Sequence, residues 1–216
     1  MLAITTTAGT ILHTGDFKID YTPIDGKPMD LGRIAELGNK GILALMSDST
    51  NSERKGFTMS EKSVGAVFDK LFMNCKKRIV VATFASNVHR VQQIVDSAVK
   101  YGRKIAVCGR SMINMIENAR ALGYINAPED IFIDIDLIRN YNDELLVIIT
   151  TGSQGETMSA LTRMAAGEHK KVVITPNDLV IISATAIPGN EKLVSKVIDD
   201  LMKIGAEVVY LSLIHI

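Results

Sequence analysis

Polar and apolar positions divide the start of the chain into two β-rich runs, Ile4-Thr5-Thr6-Thr7 and Thr10-Ile11-Leu12, around a small turn at Gly9. The second run ends at Thr14-Gly15-Asp16, which puts Asp16 at a strand end. Leu31 to Leu37 predicts a short helix stopped by Gly38. The apolar run from Gly41 to Met46 then predicts a strand buried on both faces, and it too leads to an acid, Asp48.

From Thr58 the texture changes. Thr58 with Glu61 three residues later has the pattern of a capping box, and Val64, Val67, Phe68 and Leu71 follow at helical spacing. A strand over Arg78–Phe84 comes next, with Ser86 as N-cap of a helix whose Val88, Val91, Ile94, Val95 and Ala98 make one apolar stripe before Gly102. The alternation continues with a strand over Lys104–Val107, a helix near Ser111–Leu122 and a strand over Leu145–Thr150. A helix near Glu156–Ala166, a strand over Leu179–Ser183, a helix near Glu191–Ile204 and a last strand from Val208 complete it. Ile131 to Asp136 alternates like a strand and reads as strand then turn. Such alternation predicts an α/β architecture with a doubly wound parallel sheet, where ligands approach the carboxyl ends of the strands.

Composition narrows the class. In 216 residues, 47% hydrophobic and 22% charged, apolar runs are short and broken, so a globular chain of one domain or slightly more is expected, without a membrane span. Lys and Arg number 24 against 24 Asp and Glu, so nucleic acid would have to be held by a local patch. Cys75 and Cys108 have no CxxC spacing and no signal-peptide opening precedes them, which points to a reducing compartment, the cytoplasm. His13, His89, His169 and His215 are too far apart in sequence to make a local metal-ligand motif.

Three groups could carry chemistry. Asp16 and Asp48 could each orient or bridge cations, although an Asp after a strand is more commonly a turn or cap residue. Gly152-Ser153-Gln154-Gly155, followed by Glu156, lies between an apolar strand and a helix and suits a phosphate; it is neither a P-loop nor a dinucleotide fingerprint, and an ordinary turn explains it as well. Ser86-Asn87-Val88-His89-Arg90 offers hydroxyl, amide and cationic donors, against the plainer reading of an N-cap with His89 and Arg90 facing solvent.

Taken in order, His13-Thr14-Gly15-Asp16-Phe17-Lys18-Ile19-Asp20, Leu43 to Asn51, Phe84-Ala85-Ser86-Asn87 with Arg90, Thr151 to Glu156 leading to Leu161-Thr162-Arg163-Met164, and Ile187-Pro188-Gly189-Asn190-Glu191 closely resemble the ribonuclease J family. The likeness runs from about Leu2 to Tyr210, and it is the set of motifs that makes it specific. The resemblance implies the β-CASP group of the metallo-β-lactamase superfamily: residues 1–54 as part of an αββα metallo-β-lactamase core, and 55–210 as most of a β-CASP insert. It implies Asp16 as a bridging metal ligand and Asp48 as the acid of the first β-CASP motif. It further implies RNA contacts from Ser86, Asn87, Arg90, Gly152, Ser153, Gln154, Gly155 and Glu156, so that Arg90→Ala would flatten the salt dependence of RNA binding. For the intact protein it implies hydrolysis of RNA phosphodiesters with a pair of Zn2+ ions, or Mn2+, in 5′-to-3′ exonuclease and endonuclease modes. The expected substrate is single-stranded RNA with 5′-monophosphorylated ends, in RNA processing (rRNA included) and decay, and the expected assembly is a homodimer or homotetramer.

The resemblance also implies a fragment. The HxHxDH motif and a further ligand histidine would lie upstream, and an HxSGH-like segment, a last ligand histidine and a C-terminal domain would follow Tyr210. Leu211-Ser212-Leu213-Ile214-His215-Ile216 resembles a translated sequencing adapter, so 211–216 is expected to be a read-through tail. By itself the fragment is expected to be inactive. Two other classes fit the alternation of elements alone: a doubly wound nucleotide-binding module, for which the glycine fingerprint is missing, and a structural or assembly module without catalysis.

Overall fold

The computed structural model describes residues 1–211 apart from 25, 51, 54, 57 and 59. Asn51 of the second motif and residues 212–216 of the expected tail therefore lie outside the described residues. The chain divides into two compact units, Met1–Lys62 and Ser63–Ile216. The division comes later than the expected residue 54 because the stretch before it is tied to the first unit. Ser60 Oγ donates to Asp20 Oδ2 (2.9 Å) and to the Thr22 carbonyl (2.9 Å), and the Glu61 amide donates to Asp20 Oδ2 (3.3 Å).

In the first unit β1 (Leu2–Thr6) and β2 (Gly9–His13) form an antiparallel hairpin, and β3 (Ala44–Met46) adds to β2 in parallel. The Thr6 side chain closes the turn by donating to the Gly9 carbonyl and accepting from the Ala8 amide. Helix α1 (Leu31–Lys40) starts at Asp30, whose side chain accepts from the Arg33 amide. It runs through Gly38, which has helical backbone, and stops at Gly41, where φ is +84°. The expected stop was the wrong glycine: only the second has the positive φ that ends a helix cheaply. β3 is exposed at every residue, contrary to the expected burial on both faces. Its composition is that of an interior strand, yet β2 is its one partner in the three-stranded sheet.

Helix α2 (Lys62–Phe72) leads into the second unit. Its first turn is met by Ser60, whose Oγ accepts from the Lys62 amide, rather than by Thr58, which lies too far upstream to be the cap. Six parallel strands follow in the order β6-β5-β7-β4-β8-β9: β4 (Arg78–Ala82), β5 (Lys104–Cys108), β6 (Phe132–Ile133), β7 (Leu146–Thr150), β8 (Asp178–Ile182) and β9 (Glu207–Tyr210). Helices α3 (Val88–Lys100), α4 (Arg110–Ala121), α5 (Ala160–Ala165) and α6 (Glu191–Ile204) connect them, with a 3-10 helix at Ile135–Asn140.

The central strands β4, β7 and β8 bury both faces, and their period of two divides the interior into two cores. Ile79, Val81, Ile105 and Ile149 pack with α2, α3 and α4, whereas Val80, Ala82, Ile148 and Ile182 pack with α5, α6 and the 3-10 helix. Each fully buried Ile or Val contributes about 1.5–3 kcal/mol. The amino ends of the strands are tied by charge. Arg78 makes a two-pronged pair with the fully buried Asp178 (2.6 and 2.8 Å), and buried Arg103 donates to the carbonyls of Cys75, Lys77 and Leu146.

Strand β4 enters in the middle of the sheet. The chain moves outward through β5 and β6, returns to lay β7 beside β4, and continues through β8 and β9 on the other side. The change of direction brings the loops after β4, β7 and β8 together at one edge, the crevice where doubly wound sheets receive ligands.

Candidate functional site

Two places carry the candidate residues, one in each unit. In the first, Thr14 joins the ends of β2 and β3. Its amide donates to the Met46 carbonyl (2.9 Å), its hydroxyl donates to the Gly15 carbonyl (2.6 Å), and that hydroxyl accepts from the Asp48 amide (3.0 Å). Thr14 is buried while Asp16 is exposed and Asp48 half-buried, so a hidden side chain sets the two acids on adjacent strand ends. Asp48 Oδ1 accepts from both the hydroxyl (2.6 Å) and the amide (2.9 Å) of Thr50. These bonds, with further ones from the amides of Phe17 and Ser49, hold the Asp48 carboxyl below its ordinary pKa range and favour the carboxylate.

Asp48 lines a cleft of 860 Å³, together with Phe17, Asp20, Tyr21, Thr50 and Ser60. Sequence reasoning did not single out Asp20 or Thr14. Asp20 is held below the ordinary carboxyl range, first by the Thr22 amide and also by the Ser60 hydroxyl. Its only sequence signal was its place in the first motif. Among the described residues no group of three or more His, Cys, Asp or Glu is placed to hold a metal ion. Asp16 and Asp48 alone do not make a metal centre, since a tightly held ion needs several protein ligands. The His13 ring turns back on the chain, its Nδ1 accepting from the Gly15 amide (3.0 Å).

The second place is the carboxyl edge of the parallel sheet. Asn87, not Ser86, caps α3: its Oδ1 accepts from the Arg90 amide, and Ser86 is left exposed one residue earlier. Arg90 is expected at the surface, as a donor to RNA or a cation facing solvent, yet it is 3% exposed. Its Nη1 donates to the carbonyl oxygen (2.8 Å) and hydroxyl (3.0 Å) of Ser183, and Thr83 Oγ1 donates to the same carbonyl. Arg90 stands one turn before Ile94 and two turns before Ser97, so helical spacing puts it on the buried face of α3.

After β7, helix α5 starts at Ala160 rather than near Glu156, capped by Ser159. Gly152 to Gly155 is thus a loop of its own, and Gly152, Ser153, Gln154 and Gly155 are all buried, with Glu156 exposed. A Cβ on Gly152 would come within 2.3 Å of Ser159 Oγ, and one on Gly155 within 2.6 Å of the Leu193 backbone on α6. The glycines therefore serve close packing of the loop against the helices. Gln154 spans to the next loop: Nε2 donates to the Thr185 carbonyl (2.9 Å) and Oε1 accepts from the Ile187 amide (2.7 Å). Of the residues expected at an RNA surface, Ser86 and Glu156 are exposed and Asn87 half-buried, and the rest support the loops from within.

Comparison with known proteins agrees with this architecture. The family described as "Ribonuclease J, beta-CASP domain" matches residues 76–201. Ribonuclease J of Helicobacter pylori is 55% identical over 209 residues, covering 97% of this chain and 30% of that protein. Ribonuclease J of a Synechocystis species is 51% identical over 97% of this chain and 33% of that protein, and ribonuclease J2 of Bacillus subtilis is 45% identical over 95% and 37%. The chain thus spans about a third of the length of these relatives. The doubly wound α/β sheet and the matched sequence together place the chain in the ribonuclease J family, with a β-CASP domain in its second unit.

Proposed function

We propose that this chain is part of a metal-dependent ribonuclease that hydrolyses RNA phosphodiester bonds by 5′-to-3′ exonuclease and endonuclease action. The observation that supports the reading is the Thr14 hydroxyl, which ties the residue after β2 to the Asp48 amide after β3, so that Asp16 and Asp48 both follow neighbouring strand ends. In this reading the first unit belongs to a metallo-β-lactamase core, Asp16 contributes one carboxylate to a centre holding Zn2+ or Mn2+, and Asp48 stays ionised and orients its neighbours. The metal supplies Lewis acidity and an activated water. The chain's own part is to hold two carboxylates in place and to present the loops after β4, β7 and β8 to single-stranded RNA. The reading extends to a 5′-monophosphorylated substrate, a cytoplasmic setting and a homodimeric or homotetrameric assembly.

The test is made in the whole ribonuclease that carries this sequence. Asp16→Ala and Asp48→Ala should each abolish turnover of 5′-monophosphorylated RNA while RNA binding is kept, and full activity in Asp16→Ala overturns the assignment. The 216-residue chain alone, supplied with Zn2+ or Mn2+, should show no turnover.

A further inference from the structure

The loops at the carboxyl edge of the parallel sheet are fastened to one another by side chains whose partners are backbone groups. Arg90, from the start of α3, and Thr83, just after β4, both reach the Ser183 carbonyl. The Tyr210 hydroxyl at the end of β9 accepts from the Ala186 amide (3.0 Å). Between these anchors lies Gln154, 2% exposed, whose amide group satisfies one acceptor and one donor of the segment from Thr185 to Ile187. Gln154 is itself held rigidly, because its neighbour Gly155 lies against the backbone of α6 too closely for any side chain.

A primary amide suits this position for a chemical reason. It donates through nitrogen and accepts through oxygen in one plane, so it can replace a missing pair of backbone hydrogen bonds between two loops. A carboxylate can only accept, and it would set negative charge against the Thr185 carbonyl. A methyl group would leave both the carbonyl and the amide of the segment without this partner in a half-buried place, where an unmet group is costly. The segment held in this way ends in Ile187-Pro188-Gly189, which is exposed.

We propose that Gln154 is a positioning residue: it fixes the Thr185–Ile187 segment against the loop after β7, and thereby sets the shape of the edge that takes RNA, without touching RNA itself. The RNA half of this statement rests on the function proposed above. It reassigns Gln154 from a ligand contact to the support of a neighbouring loop.

Two variants of the 216-residue chain test it, read by amide hydrogen exchange at Ile187 and by binding of a 5′-monophosphorylated single-stranded oligoribonucleotide. Gln154→Ala should speed Ile187 exchange by about tenfold or more and weaken RNA binding by a similar factor. Gln154→Glu should behave like Gln154→Ala at about pH 8, where the carboxylate cannot donate. It should recover toward wild type at about pH 5.5, because burial raises a glutamate pKa and the protonated acid can again donate and accept. General loss of packing would not produce that recovery. Unchanged Ile187 exchange in Gln154→Ala, or a Gln154→Glu defect that does not respond to pH, overturns the positioning role. A wild-type chain that does not bind the oligoribonucleotide, with the exchange results as expected, overturns the RNA reading and leaves the fastening of the loop intact.

Discussion

The Nε2 of His169 lies 3.2 Å from the Sγ of Cys108, and the Nδ1 of the same ring accepts from the Val172 amide at 3.1 Å. With Nδ1 accepting, the neutral ring carries its proton on Nε2, facing the sulfur. Burial, then Arg163 and Lys171, depress the His169 pKa below its ordinary 6.5, and burial raises that of the Cys108 thiol above its ordinary 9.0. A depressed imidazole contributes stability that is complete above 6.5 and lost as pH falls through the folded value. A raised thiol contributes stability that is complete below 9.0 and lost as pH rises through the folded value. Urea unfolding across pH should therefore show greatest stability between those values. His169→Gln should flatten the acid limb and Cys108→Ala the alkaline limb; unaltered limbs in both variants would count against the pair.

Asp178→Ala should destabilise the chain by about 3–5 kcal/mol, because it leaves the Arg78 guanidinium at the amino edge of the sheet without its carboxylate. The Thr175 amide and hydroxyl lose their acceptor in the same step. Replacing Arg78 and Asp178 together by apolar residues of similar volume should cost much less. Midpoints of urea unfolding for the single and double variants make the comparison.

Gly155→Ala should lower stability by about 1–3 kcal/mol, since its added carbon meets the Leu193 backbone rather than a movable side chain. Gly189→Ala offers the contrast: φ there is also positive, but nothing lies within 4 Å of the new carbon. Thermal unfolding should rank Gly155→Ala as the more damaging.

Arg90→Ala should act through stability. Its guanidinium is spent on Ser183 inside the protein, so removing it strips the Ser183 carbonyl of a charged donor and leaves the number of phosphate contacts unaltered. A plot of RNA affinity against salt should keep its slope while unfolding shifts to lower urea. A slope reduced by about one would return Arg90 to direct contact with RNA.

Thr14→Val keeps the shape of a buried side chain and removes the hydroxyl that accepts from the Asp48 amide. A cost of about 1–3 kcal/mol is expected from the unmet amide, with faster hydrogen exchange at Asp48 as the local sign.

The second unit was legible because its elements obey simple periods. The stripe Val88, Val91, Ile94, Val95 and Ala98 could only be one helix face, and α6 spans the predicted Glu191–Ile204. Helix starts were less legible. Thr58, Ser86 and Glu156 each look like first residues, and the cap actually used lies within a few positions of each, chosen by what the preceding loop must reach. Arg90 illustrates the larger gap: its spacing to Ile94 and Ser97 puts it on the buried face, but residue type alone suggested an accessible cation. Gln154 stands out in the sequence as part of a glycine loop, but its partners stand more than thirty positions away, and no local pattern announces them. In the first unit β3 read as interior from composition and is exposed, since composition reports what a strand suits rather than what covers it.

Strand β4 hands Ile79 and Val81 to one core and Val80 and Ala82 to the other. A single inserted or deleted residue in that strand would exchange the two pairs, pressing larger side chains into one core and opening voids in the other at the same moment. With β7 and β8 paired to it on either side, the error would also misalign both neighbouring ladders. Length in this protein is therefore adjustable in its loops and fixed in its central strand, as a keystone may be dressed on its outer face but not made thicker.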